Sequence, residues 1–407
     1  TALSVSRNGW SLDAAAEVCE LPLSSLLDRL QALVECSLVQ SVDGRDGELR
    51  FLLLESLQEF AAARLEPDRG AIAAAHHEAY YTAFARQAAE ALQGQEEGTW
   101  LHKLAEERGH FQAIFTRGGG HELAVSLHRY WLIRGYAAEG LPWLLTLLNS
   151  RVAPTSGWRG NAANAAGILS WSVGDFAGAH YWFRESLALL DRPSDQARAL
   201  NNLGLVATRQ GELERACDYF EESLNRYRGI EAREQCAMVL SNLGGTLIYR
   251  KEYAKARTVL KESLAIQYLT GEPFSIASAL HNLAEVTCLL GERQEASRLL
   301  RECLSLRREL QDDSAIKAML QTVALIAASG PSSDQSSLLT TRLLHTSLCR
   351  VEASAADLAE YEELCAHFEK ELGTNRYQVA RDAGKPLNKE ETLALADEIL
   401  QLFAEKI

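Results

Sequence analysis

The sequence predicts a mostly α-helical protein in which a small N-terminal domain precedes a solenoid of stacked helical hairpins. Three observations carry this. First, one spacing runs through the middle of the chain four times. A small residue at Gly167, Gly204, Gly244 and Ala284 is followed twelve residues on by Ala179, Ala216, Ala256 and Ala296. Four further on come Phe183, Phe220, Leu260 and Leu300, then after four more Leu187, Leu224, Leu264 and Leu304, and the copies start 37, 40 and 40 residues apart. A fixed period of this size marks supersecondary units that stack on one another. Second, only 8 of 407 residues are proline, while leucine and alanine abound, as helices require. Third, residues 1–66 lack the period.

Each copy reads as two helices. Helix A carries the small residue, as in NNLGLVATRQ, and a turn follows with Gly174, Gly211 or Gly291 seven residues later, Lys251 standing there in the third copy. Helix B carries the Ala, the large apolar residue and the Leu four apart, hence on one face. Helices approach closely only where neither projects bulk, so the small residue on A and the Ala on B mark the crossing, with Phe or Leu filling the space beside it. One hairpin cannot bury its own apolar face, so neighbours must stack. The order of small and large positions resembles the tetratricopeptide repeat, whose usual length is about 34 residues; these copies are longer, like the extended repeats of kinesin light chain and of many bacterial regulators. A fifth copy begins in phase at Val323 and Ala324 and breaks at Gly330-Pro331-Ser332-Ser333, which reads as a degenerate end of the array. A weaker unit, RYWLIRG then EGLPWLLTLL, precedes the four around 121–150.

Residues 1–66 divide into SLDAAAEVC and LSSLLDRLQALVECSLV as helices, LVQSVDG and GELRFLLL as two strands joined at Asp43-Gly44-Arg45-Asp46-Gly47, and a last helix ESLQEFAAARL. Helices closed by a two-stranded ribbon make a winged helix. Such a module packs or reads DNA, and charge decides between them. The segment holds five Arg and no Lys against eleven Asp and Glu, a balance of −6. The candidate recognition helix has Asp28, Arg29 and Glu35 as its only charges, whereas a helix entering a major groove needs cations around it.

NGWSLDAAAEVC, LLDRLQALVECSLVQ and RFLLLESLQEFAAARL resemble the winged helix of bacterial signal-transduction ATPases with numerous domains (STAND), the large regulators of the AfsR and LuxR-ATPase kind. HHEAYYTAFARQAAEALQ and WLHKLAEERGHFQAIF resemble the helical linker that leads into their repeats. LAEYEELCAHFEKELGTNRYQVARDAGKPLNKEETLALADEIL resembles their closing segment. The resemblance implies 1–66 as winged helix, 67–120 as helical linker, 121–330 as tetratricopeptide array and 331–407 as C-terminal helical cap. In that family an effector domain and an ATPase precede the winged helix. This chain has no GxxxxGK[ST], so the resemblance places ATP and ADP in an upstream ATPase outside it. Leu53, Leu54 and Glu55 stand where related immune ATPases place an MHD motif, so the histidine contact to ADP is not carried over. Thr1 falls within what reads as a helix of a domain already under way, which predicts a piece of a longer protein.

Composition narrows the function classes. With 47% apolar and 24% charged residues the chain is globular, and its net charge of −14 disfavours general nucleic-acid binding, whose affinity comes largely from phosphate neutralisation. No apolar run is long enough to span a bilayer and no signal peptide precedes the first helix. The eight cysteines include no CxxC pair and fall mostly on apolar helix faces (Cys19, Cys217, Cys288, Cys303), as reduced cytosolic thiols do. The expected location is cytoplasmic. There is no HExxH, no GxSxG and no GxGxxG after a strand, and the chain is expected not to be an enzyme. Adjacent His76 and His77 point in different directions on a helix, one to the surface and one to the core. His345, Cys349, Cys365 and His367 could hold Zn²⁺ if their helices met, but the spacings match no standard metal motif, and no metal is expected.

Binding is expected on the concave side lined by the A helices. Asn202, Asn242 and Asn282 recur two residues before the small position. An amide offers donor and acceptor together, as extended peptide backbone requires; equally, these Asn bond neighbouring helices and fix the stacking. Helical spacing adds Asn164 and Trp171 in the first copy, Arg198, Asn201, Thr208 and Arg209 in the second, Tyr249 in the third, and His281 and Glu285 in the fourth. Trp171 suits the core as well as the face. Arg198 and Arg209 are natural partners for a carboxylate. The expected ligand is a protein or peptide partner or a small-molecule inducer, with no direct nucleic acid and no membrane. The resulting expectation is the sensor region of a signal-transduction ATPase transcription regulator. The alternative is a stand-alone tetratricopeptide interaction scaffold without switching.

Overall fold

The computed structural model describes residues 2–6, 9–44, 48–92, 94, 96–150, 156–271, 273–310, 316–330, 333–346, 355–384 and 387–404. Residues 45–47 of the ribbon turn, 331–332 of the expected break and Cys349 lie outside them. The described residues are mostly helical, as the sequence predicts, and the chain divides into two compact units, 1–191 and 192–407.

Unit 1 opens with a 3-10 turn (Ala2–Val5), strand β1 (Trp10–Ser11), and helices α1 (Leu12–Cys19) and α2 (Leu23–Glu35). Ser11 caps α1 by accepting the Ala14 N–H at 3.2 Å. Strands β2 (Val39–Asp43) and β3 (Leu49–Leu53) form the expected antiparallel ribbon, Val39 opposite Leu53 and Asp43 opposite Leu49. Strand β1 adds to the other edge of β3, Trp10 opposite Phe51. The sequence reading missed β1 because two residues carry no alternation. Helix α3 (Glu55–Ala63) follows, then α4 (Pro67–Ala91), α5 (Glu97–Glu106), α6 (Arg108–Thr116), α7 (His121–Ile133), α8 (Ala137–Leu148), α9 (Ser156–Ser172) and α10 (Phe176–Leu189). Proline at the first position of α4 suits a site whose N–H has no helical acceptor. Helix α4 packs on α1, α5, α6 and α7. Trp10, Leu26, Leu30 and Phe51 therefore share one apolar core with Tyr81, Phe111, Leu127 and Leu169.

Unit 2 holds the hairpins α11 (Pro193–Arg209) with α12 (Leu213–Gly229), α13 (Arg233–Tyr249) with α14 (Tyr253–Thr270), and α15 (Pro273–Leu289) with α16 (Arg293–Glu309). The repeat spacing now has a physical account. A Cβ on Gly204 would sit 2.6 Å from the Phe220 ring, and one on Gly244 2.5 Å from Leu260. The large residue of helix B thus lies directly over the glycine of helix A, and the same holds in unit 1 for Gly167 under Phe183. Each A helix ends in a Schellman turn. Gly211 (φ 80°), Lys251 (φ 62°) and Gly291 (φ 83°) take the left-handed conformation. The following N–H reaches back five residues, Glu212 to Ala207 and Glu252 to Leu247 at 2.9 Å, Glu292 to Thr287 at 3.1 Å. One further bond repeats: Ser223, Ser263 and Cys303 on the B helices donate to the carbonyls of Ala197, Ala237 and Ala277 at 2.7, 2.6 and 3.1 Å.

Beyond the third hairpin come α17 (Ile316–Ala328), α18 (Asp334–Leu344), α19 (Ala355–Leu372), α20 (Thr374–Gly384) and α21 (Lys389–Ala404). Helix α17 packs against α18, and α21 against α16 and α17, so one apolar core runs from Ala197 to Leu400.

Candidate functional site

In unit 2 the first helices of successive hairpins, α11, α13 and α15, and then α17, carry a ladder of side-chain bonds. Asn242 Nδ2 donates to Asn201 Oδ1 at 2.9 Å, and Asn282 Nδ2 to Ser241 Oγ at 3.3 Å. The Thr208 and Thr246 hydroxyls meet at 2.9 Å, and His281 Nε2 meets Thr322 Oγ1 at 2.9 Å. Register between hairpins is therefore held by polar pairs as well as by apolar packing, since a buried polar group without its partner is costly.

The ladder sorts the predicted site residues by depth. Asn201 and His281 are buried, and Asn201 Oδ1 and His281 Nε2 are engaged in the ladder. Burial, and next the charge of Arg307, hold His281 down to about 4, so the ring is neutral at pH 7. Asn202, Asn242, Asn282 and Glu285 are half-buried, with one edge toward solvent. Arg209 and Tyr249 are exposed, Tyr249 by 69%. Arg198 pairs with Asp195 at 2.9 Å, and that carboxylate also meets Arg192 at 3.0 Å. In unit 1, Asn164 is buried within α9, and Trp171 packs edge-on against Phe176 at 5.1 Å. The structure thus brings Asn201 with Asn242, and Asn282 with Ser241. Asn164 lies in the other unit.

Two residues on the open side of α13 escaped the sequence reading. Met238, four before Asn242, is exposed. Gly245, three after Asn242, has nothing within 4 Å of the place its Cβ would take. A glycine inside a helix costs about 1 kcal/mol relative to alanine, and that is the signal that could have found it.

The other candidates resolve locally. His77 is fully buried, while His76 is half-buried beside Glu20 at 3.6 Å. His345 Nε2 bonds the Tyr377 hydroxyl at 2.8 Å with Cys365 Sγ 3.9 Å away, and His367 faces Glu371 at 3.5 Å. Among the described residues no cluster of three or more His, Cys, Asp or Glu is placed to hold a metal ion, and no helix is long and apolar enough to cross a membrane.

Stacked hairpins with a small residue, Gly204 or Gly244, under the large one and a polar ladder along the A helices form a solenoid of tetratricopeptide-like hairpins. The tetratricopeptide-repeat family matches residues 195–268 and again 276–310. Among individual proteins, the chain is 27% identical over 333 residues to a "Putative HTH-type transcriptional regulator" of Mycobacterium tuberculosis (strain ATCC 25618 / H37Rv), across 77% of this chain. It spans 37% of that regulator's length. It is 32% identical over 98 residues to the Photosystem I assembly protein Ycf3 of Acaryochloris marina, across 24% of this chain and 55% of that protein. Among solved structures it resembles the Signal Transduction ATPase with Numerous Domains (STAND) protein with a tetratricopeptide repeat sensor from Pyrococcus horikoshii. That match has a TM-score of 0.51 at 13% identity and covers 98% of this chain and 64% of the other. At this identity the likeness is one of fold.

Proposed function

We propose that this chain is the sensory half of a signal-transduction ATPase that regulates transcription. Residues 1–66 form its winged helix, 67–120 its helical linker, 121–330 its repeat array and 331–407 its helical cap. The helices and ribbon of 10–63 and their acidic balance support a module that docks on protein, the upstream ATPase in cis, rather than on DNA. The repeats hold a protein or peptide partner or a small-molecule inducer, and no chemistry is done on it. ATP and ADP belong to the upstream domain. The protein works in the cytoplasm and binds neither nucleic acid through this region nor membrane.

One observation carries the site. The A helices of unit 2 present half-buried amides at Asn202, Asn242 and Asn282, bordered by exposed Arg209 and Tyr249. Amides that pair with the neighbouring helix still offer a second donor or acceptor outward. Ligand bound there would favour one of two states of the full-length protein through differential affinity. The test is capture from lysate of the source cells, with the chain and its Asn202→Ala, Asn242→Ala, Asn282→Ala form as baits of equal helicity. A species kept by the first and lost from the second supports the reading; equal retention sinks it. The scaffold alternative predicts instead that full-length protein exchanges nucleotide at one rate with and without the captured species.

A further inference from the structure

A chain of hydrogen bonds buried in unit 1 has its proton order fixed at both ends. His110, on α6, places Nε2 2.6 Å from the Gly9 carbonyl and 3.4 Å from Glu107 Oε2. Both neighbours only accept, so Nε2 carries the hydrogen. Nδ1 of the neutral ring is then an acceptor, and it lies 2.9 Å from Nε2 of His77 on α4. His77 must donate there, which leaves its Nδ1 as an acceptor facing the Arg117 guanidinium at 3.0 Å. Arg117 also donates to the Val5 carbonyl at 3.1 Å. The order Arg117 to His77 to His110 to Gly9 thus uses every ring nitrogen once, and both imidazoles are fully buried.

Such a chain has no room for another proton. A proton on His110 Nδ1 would face the N–H of His77, and one on His77 Nδ1 would face Arg117. We propose that this chain is an acid-sensitive latch: with both rings neutral it holds the N-terminal turn and strand β1 on helices α4 and α6, and protonation of either ring releases them.

The surrounding charges agree. Arg117 faces His77 from the end of α6, and Arg50 faces His110 from β3, both opposing a cation. Glu107 and then the bond to the Gly9 carbonyl favour one at His110, but the neutral ring already makes that bond, and Glu107 is engaged by Arg50 and by the Tyr81 hydroxyl at 3.0 Å, with Glu106 4.0 Å from Arg50. Burial, above all, lowers His77 to about 2 and His110 to about 4. Both lie below the unfolded value, so closure is complete above about pH 6.5 and weakens as pH falls toward 4. What opens is defined as well. Gly9 leads directly into Trp10, which pairs with Phe51, and its φ of +82° with a Cβ site 2.6 Å from Leu52 leaves no space for another residue.

The test uses the whole chain. Amide exchange at residues 9–11 and 50–52, corrected for its chemical pH dependence, is followed from pH 7.5 to 5.5. The expected rise is about tenfold for each ring that titrates between 6.5 and about 4. In His77→Gln with His110→Gln each amide reproduces the donor–acceptor order and takes no proton, so the rise is lost. An equal rise in that variant overturns the latch. Should the variant fail to fold, ¹⁵N spectra of the wild-type histidines decide: both rings neutral with hydrogen on Nε2 at pH 7 supports it. Hydrogen on Nδ1, or titration near 6.5 with 9–11 still protected, overturns it.

Discussion

Lys251 occupies a position that glycine fills in the other copies, and its backbone shows the cost. Its φ of 62° matches the left-handed region of Gly174, Gly211 and Gly291, where a Cβ crowds the following carbonyl. The 6→1 bond from Glu252 to Leu247 forms all the same at 2.9 Å, so the turn is imposed by the hairpin and the lysine tolerates it. Lys251→Gly should stabilise unit 2 by about 1 kcal/mol, read as a shift in the urea midpoint at unchanged slope. An unchanged or lower midpoint would mean that the lysine makes contacts worth more than its strain. This turn was legible in the sequence, because a glycine at fixed phase announces its conformation. The partners of His77 and His110 were not. Gly9, Arg50 and Arg117 come from distant parts of the chain, and no local spacing records which of them meet in the fold.

The hairpin is the unit whose geometry the sequence recorded best. Small and large positions recur because Gly204 must admit Phe220 and Gly244 must admit Leu260, which couples residues sixteen apart. The bond from helix B to helix A left a weaker trace. Ser223, Ser263 and Cys303 recur in register, but a small polar residue in a helix has many uses, and only the fold shows the carbonyl it serves. Ser263→Ala should cost about 1 kcal/mol by leaving the Ala237 carbonyl short of a donor. Cys303→Ser, which installs the hydroxyl of the other two hairpins, should stay within about 1 kcal/mol of wild type; a larger loss would show that the sulfur contact to Met319 at 3.5 Å matters more than the repeated bond. Acid acts at the junction of α15 and α17. His281 falls from 6.5 to about 4, chiefly by burial, so its neutral form is the folded one. Stability contributed there is present above about pH 6.5 and lost as pH falls through 4, roughly 3 kcal/mol in all. Exchange of α15 and α17 amides should accelerate over that range in wild type and stay level in His281→Gln; parallel curves would place the acid sensitivity elsewhere.

The ends of an array are where periodicity stops informing. The sequence loses its spacing at Gly330-Pro331-Ser332-Ser333, because α18 does not keep the Ala, Leu, Leu pattern of a B helix. The fold does not lose its core there. Leu343, Leu344, Ile399 and Leu400 are buried and belong to the same apolar cluster as Met319, Val323 and Ile326 of α17. Helices α18 and α21 do the covering that a further hairpin would do, without its sequence. Arg293 ties the junction by donating to the Ile326 carbonyl at 2.6 Å and by lying over the Phe403 ring at 3.5 Å. Terminal units of a solenoid need such cover, since an uncapped end exposes a packed apolar face. A chain ending at residue 330 should therefore bind a hydrophobic dye, associate at micromolar concentration and melt at lower temperature than the whole protein. A soluble, monomeric, dye-silent truncation would show that α17 closes the array unaided and that the helices beyond it serve another purpose.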